Sequence, residues 1–84
     1  MSYRALYTQE AAKQIRKLDK AVKIRIEQAI LKLCSQPGSG KRLKGVLADR
    51  WSYRVGDWRI LYKIQKDKLL ILILTVGHRR EVYR

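Results

Sequence analysis

The last seven residues, His78-Arg79-Arg80-Glu81-Val82-Tyr83-Arg84, bring the only histidine together with three arginines and a tyrosine. Arginines stabilise the negative charge that develops on a phosphorane-like transition state. A tyrosine or histidine set among cations has its deprotonated form favoured, which suits a general base. Such a group has the makings of a metal-free cleavage of RNA, in which a 2′-hydroxyl is activated against the adjacent phosphate. One histidine, one cysteine and seven scattered acids offer no metal-ligand spacing, so neither a metal nor a cofactor is expected. Taken alone, the same residues also fit a solvated surface tail.

A second group emerges from alternation. Trp51, Tyr53 and Val55 alternate with Ser52 and Arg54, and after Gly56-Asp57 the residues Trp58, Ile60, Tyr62 and Ile64 alternate with Arg59, Leu61 and Lys63. A period of two marks strands, and glycine at the first central position suits a two-residue type II′ hairpin. That hairpin pairs Val55 with Trp58 and sets Arg54 directly opposite Arg59. Trp51, Tyr53, Ile60 and Tyr62 then share the face to be buried, while Arg50, Ser52, Arg54, Arg59 and Lys63 share the other. Like charges directly across a strand pair destabilise it by roughly a few tenths of a kcal/mol or more. Two arginines kept there point to an anion to be held; the alternative is that both splay into water with their stems over apolar surface.

The elements that must position these groups are legible in the periodicity. Tyr3, Ala5 and Tyr7 alternate with Arg4 and Leu6, which predicts an opening strand. Thr8 then caps a helix with the apolar stripe Ala11, Ile15 and Leu18, and Asp19 caps a second with Val22, Ile26, Ala29, Ile30 and Leu33. Gln36-Pro37-Gly38-Ser39-Gly40 ends the helices, and Lys41-Arg42-Leu43-Lys44-Gly45 follows as a basic connection. The run Leu69 to Val76 predicts a central strand covered on both faces. The order β-α-α-β-β-β gives an α+β domain spanning 1–84, with a helical hairpin packed on one face of a mainly antiparallel four-stranded sheet. A two-residue turn at Lys66-Asp67 points Arg79 away from the Arg54/Arg59 face, and a three-residue turn points it toward that face.

The formal net charge of +13, from 20 lysines and arginines against seven acids, favours a polyanion or an acidic protein as partner. It is spread through the chain, so a disordered basic arm is not the reading. Cys34 is the only cysteine, which excludes internal disulfides, and it falls in a helical apolar pattern. No apolar run is long enough to span a bilayer and none resembles a signal peptide, so a cytoplasmic protein without membrane contact is expected.

Taken together, Lys13-Gln14-Ile15-Arg16-Lys17-Leu18, Arg42-Leu43-Lys44-Gly45, Trp58-Arg59-Ile60-Leu61-Tyr62 and Val76-Gly77-His78-Arg79-Arg80-Glu81-Val82-Tyr83 resemble the RelE family of toxin–antitoxin ribonucleases, part of the RelE/ParE fold. The resemblance covers essentially the whole chain. It implies an enzyme that enters the ribosomal 30S A site and cuts bound mRNA, leaving a 2′,3′-cyclic phosphate and a 5′-hydroxyl. By position, it implies that Arg59 stabilises the phosphate and that Arg54 is the basic residue of the preceding strand. Arg79 stabilises the leaving group or transition state, Tyr83 is the base or a base-stacking partner, and His78 stands where other members have lysine or, nearby, a histidine. Lys44 contacts the nucleic acid, and Lys41, Arg42, Arg50, Arg80 and Arg84 extend that basic surface. The resemblance also implies a RelB-like antitoxin whose acidic, amphipathic segments cover the basic surface and the apolar residues Leu70, Leu72 and Leu74 or their neighbours. Two features depart from the pattern: Ser52 stands where members can carry a second lysine, and one residue follows Tyr83 where some relatives continue into a helix. Two other readings stay open, a ParE-like gyrase-binding toxin of the same fold and a non-catalytic basic RNA-binding protein.

Overall fold

The structure, a computed structural model, describes residues 2–78; the expectations placed on Arg79, Arg80, Tyr83 and Arg84 lie outside the described residues. The elements follow as β1 (Arg4–Tyr7), α1 (Gln9–Arg16), α2 (Lys20–Ser35), β2 (Lys41–Arg42), β3 (Trp51–Val55), β4 (Trp58–Gln65) and β5 (Leu70–His78), with short 3-10 turns at Pro37–Ser39 and Gly45–Leu47. The strands form a five-stranded sheet in the order β1-β5-β4-β3-β2. β1 runs parallel to β5, and the other neighbours are antiparallel. The α+β class and the element order agree with the alternation of periods, with one strand more than expected.

The apolar stripes land where their spacing puts them. Ala11 and Ile15 of α1 and Ile26, Ala29, Ile30 and Leu33 of α2 close over Ile60, Tyr62, Ile71, Ile73 and Val76 on one face of the sheet. Thr8 caps α1, its hydroxyl accepting from the Ala11 amide at 3.1 Å. Asp19 occupies the equivalent place before α2, but its side chain makes no capping hydrogen bond. β5 is central, as its apolar run predicts, yet only one of its faces is fully covered: Leu70, Leu72 and Leu74 remain half-buried among the described residues.

The added strand is β2, in the segment read as a basic connection. Two residues are too few to show alternation, and the determinant is a close approach. A Cβ on Gly40 would collide with the Tyr62 hydroxyl and stand 2.8 Å from the Ser52 carbonyl oxygen, so only glycine lets the chain come up against β3 here. Buried Tyr62 then ties the segment down, donating to the Pro37 carbonyl at 2.7 Å and accepting from the Gly40 amide at 3.1 Å.

β4 and β5 hold a second feature that alternation does not reveal. Their register shifts at Leu61/Tyr62: Tyr62 pairs with Ile73 but Leu61 with Thr75, leaving an extra residue on β5. A bulge of this kind bends a strand and frees ladder groups that need other partners. The Thr8 hydroxyl donates to the Leu74 carbonyl at 2.7 Å. Gln14 Oε1 accepts from the Val76 amide at 2.6 Å and from the Thr75 hydroxyl at 3.0 Å. β1 ends opposite Ile73, so α1 satisfies the stretch of β5 that β1 leaves unpaired. The β4–β5 turn is neither of the two lengths weighed above: Gln65 pairs with Leu70, leaving four residues between, and Leu69 closes the turn at φ 53°.

Burial pushes the Tyr62 hydroxyl up to about 12. The fold therefore favours the neutral phenol, a contribution complete below the ordinary tyrosine value near 10 and lost as pH rises through about 12. In urea titrations, wild type should lose stability more steeply than Tyr62→Phe over that alkaline range. At neutral pH the variant should be weaker by about 1–2 kcal/mol, because the Gly40 amide and the Pro37 carbonyl lose their partner. Parallel alkaline curves would show that burial does not raise the Tyr62 hydroxyl, and equal stability at neutral pH would show that Tyr62 does not tie the loop to the core.

Candidate nucleic-acid interface

The hairpin register is the one the alternation predicts. Val55 pairs with Trp58, and Arg54 lies directly opposite Arg59. Gly56 opens the turn at φ 60°, whereas Asp57 has no positive φ, as a type II′ turn requires. With both residues of the pair cationic, the end of this face is an anion-attracting row: Arg54, Arg59 and, on β5, Gly77 opposite Arg59. The parallel row through β2 holds Lys41 opposite Ser52 and Ser52 opposite Leu61. Ser52 is buried here, at 6% exposure. A short polar side chain at this place keeps the floor low between Lys41 and Arg54, where the resemblance allowed a second lysine.

Lys41, Arg54 and Arg59 accordingly line one cleft of about 560 Å³, with Ser39, Gly40 and Leu43 on its rim. Arg54 is exposed and steered by its own turn, its Nε donating to the Gly56 carbonyl at 3.0 Å. Arg59 is half-buried, and its Nε is fully covered without a hydrogen-bond partner. A buried donor of a charged group left unpaired is costly, more so than a neutral one. Among the described residues no carboxylate offsets the three cations, since the ion pairs there belong to Asp49, which holds Lys63 at 3.0 Å and Arg50 Nε at 3.8 Å. The hydrogen bond from Lys63 holds the Asp49 carboxyl below its ordinary value. Lys63 shares the face of Arg59 but is thus tied to a carboxylate, which sets it apart from the cleft.

The remaining sequence-predicted residues divide clearly. Lys41 is in the cleft. Arg42 is turned to its own loop, Nε donating to the Ala48 carbonyl at 3.0 Å. Lys44 is exposed just before the turn in which Gly45 takes φ 70° and Val46 is 99% exposed. Arg50 Nε is buried without a hydrogen-bond partner beside Asp49. His78 pairs with Trp58 and meets its ring edge-on at 5.9 Å. It therefore stands on the Trp58 side of the sheet, opposite the side of Arg54 and Arg59, and the structure does not bring it together with them. Sequence reasoning missed Ser52 as the cleft floor and the closure of the cleft by the chain around Gly40; the glycine before Lys41 was the available signal.

Two helices laid on one face of this sheet, with a basic cleft on the other, define a RelE-like toxin fold. The structure matches the toxin–antitoxin complex RelBE2 from Mycobacterium tuberculosis with a TM-score of 0.86 at 32% identity, covering 94% of this chain and 100% of that one. It matches the isolated RelE toxin of E. coli in fold, with a TM-score of 0.80 at 24% identity and coverage of 98% and 92%. The chain belongs to the ParE toxin family of type II toxin–antitoxin systems (parDE), within the RelE/ParE superfamily, by a match over residues 5–83. It is also similar to Toxin RelG of Mycobacterium tuberculosis, 34% identical over 86 aligned positions that take in 100% of this chain and 99% of the relative.

An anion that binds the folded cleft raises stability by mass action. At matched ionic strength, inorganic phosphate should raise the melting temperature above its value in chloride. The extra increment should shrink in Arg59→Ala and vanish in Arg54→Ala/Arg59→Ala. An equal increment in all three proteins would mean that the arginine pair holds no anion.

Proposed function

We propose that this toxin is a ribosome-dependent endoribonuclease that cuts mRNA in the A site without a metal. The observation that carries the reading is the cleft in which Arg54, Arg59 and Lys41 converge with no carboxylate among its described residues and with Arg59 Nε buried and unpaired. In the reaction the RNA 2′-hydroxyl gives up its proton to a base, and its oxygen attacks the adjacent phosphorus. The bond from phosphorus to the 5′-oxygen breaks, and that oxygen takes up a proton. The products are a 2′,3′-cyclic phosphate and a 5′-hydroxyl. Arg59, rigid on β4, holds the phosphate and offsets the charge gained in the transition state, with Arg54 beside it and Lys41 across the cleft.

Arg79 and Tyr83 supply the remaining chemistry in this proposal, as leaving-group stabiliser and base, carried over from the family resemblance. His78 supports the sheet end through Trp58 and is the weaker candidate for the base. Lys44, Arg42, Arg50, Arg80 and Arg84 contact backbone phosphates of mRNA or ribosomal RNA, interactions that position the substrate rather than read its sequence. A RelB-like antitoxin is the second partner. The RelBE2 match is a toxin–antitoxin complex, and the open sheet face places half-buried Leu70 and Leu72 on the same sheet as the basic cleft. One acidic amphipathic segment covers both kinds of surface.

The family match is described by the name ParE, which keeps a gyrase-binding toxin as the second reading. Primer extension on a translated message separates the two. The intact protein should give cuts that require the ribosome. Arg59→Ala should reduce cutting by about two to three orders of magnitude, as expected for a lost donor to transition-state charge. Tyr83→Phe should cost more than His78→Gln. Gyrase inhibition with intact message would establish the ParE-like reading instead, and retention of RNA without cuts would leave a binding protein.

A further inference from the structure

The cleft does not end at Arg54. Around the Gly56-Asp57 turn lies a second groove of about 290 Å³, lined by Arg25, Gln28 and Lys32 of α2 and by Tyr53, Arg54 and Val55 of β3. Tyr53 and Arg54 wall both hollows, so the two are contiguous across the edge of the hairpin. α2 contributes exposed cations at positions 25 and 32 of the stripe that borders β3, seven residues apart and hence close to two helical turns.

Each cation is held in place by something other than an acid. The Arg25 guanidinium covers the turn, with Nη2 2.9 Å from where a Cβ on Gly56 would sit. Lys32 Nζ stands 5.7 Å from the centre of the Tyr53 ring. Arg54 is hooked to the Gly56 carbonyl. Glu27 and Asp57 are the nearest acids in sequence, and neither forms an ion pair with these groups, since the ion pairs among the described residues all involve Asp49. Holding cations in register through an aromatic ring and a turn leaves their charge unspent.

We infer that Arg25, Arg54 and Lys32 form a track for RNA backbone phosphates, which leads the strand from the Arg54/Arg59 cleft over the β3–β4 turn onto α2. The inference rests on the RNA reading of the cleft and extends it. The cleft takes the reacting phosphate, and the α2 groove takes phosphates of the same or a neighbouring strand that do not react. Such contacts are sequence-independent and are read as counterion release.

The test is the salt dependence of binding to a fluorescein-labelled 2′-O-methyl oligouridylate, which cannot be cut, followed by anisotropy. In Arg25→Ala/Lys32→Ala the slope of log K against log salt should fall by about 1.4, at about 0.7 per lost phosphate contact on a single strand. Arg25→Lys/Lys32→Arg keeps the charge and should keep the slope. Lys66→Ala/Lys68→Ala removes the same charge from the turn at the far end of β4 and should also keep it. A wild-type slope in Arg25→Ala/Lys32→Ala overturns the track while leaving the cleft reading standing. An equal fall in Lys66→Ala/Lys68→Ala overturns it in favour of diffuse charge. Failure of the wild-type protein to bind the probe at any salt overturns the track, while the cleavage reading is decided separately by primer extension on a translated message.

Discussion

Gly56 at φ 60° allows β3 to reverse into β4 through two residues, and that length imposes the pairing of Arg54 with Arg59. With a turn one residue longer, every side chain of one strand would change face. On β4, Tyr62 and Ile60 would leave the core, and Arg59 would enter it. Core and cleft are therefore two consequences of one register. The apolar face gains from burial of Ile60 and Tyr62, both fully covered, and that gain holds the like charges together on the other side.

The bulge in β5 plays the complementary part at the other edge of β4. It lets Ile71 and Ile73 face the helices at one end of the strand while Val76 faces them at the other, despite the odd spacing between Ile73 and Val76. It also fixes which side Gly77 and His78 take. Gly77 stands opposite Arg59, and His78 stands with Trp58. Gln14 and Thr8 hold this irregularity, so a polar residue of α1, remote in sequence, helps set the end of the strand beside the candidate site.

What was legible in the chain was what periodicity encodes. The helix stripes, the hairpin register and the facing arginines all follow from repeats of 3.6 or 2 that run for several residues. β2 was not legible, because its two residues carry no period and its pairing depends on the absent Cβ of Gly40 meeting Tyr62 across the fold. The bulge was hidden by composition: Leu69 to Leu74 is apolar at every position, so a one-residue slip leaves the pattern unchanged. His78 was grouped with the arginines because it adjoins them in sequence, whereas strand alternation separates it from the Arg59 side. Asp49 tying Lys63 is a contact between a loop and a strand, for which no local spacing gives a signal.

The energetics explain why the arrangement persists in so small a fold. A facing like-charge pair costs about 0.2–1 kcal/mol, a modest part of the roughly 5–15 kcal/mol that a domain has in hand. Acids on this surface would have recovered that amount, and the chain places one at Asp49, where it ties down Lys63 and Arg50 rather than the cleft cations. Among the described residues the three cleft cations stay uncompensated, although a neutralising carboxylate stands on the loop between Lys41 and β3. That difference in treatment separates the two groups physically: the Asp49 cluster consumes its charge in folding, and the cleft retains its charge for an anion from outside.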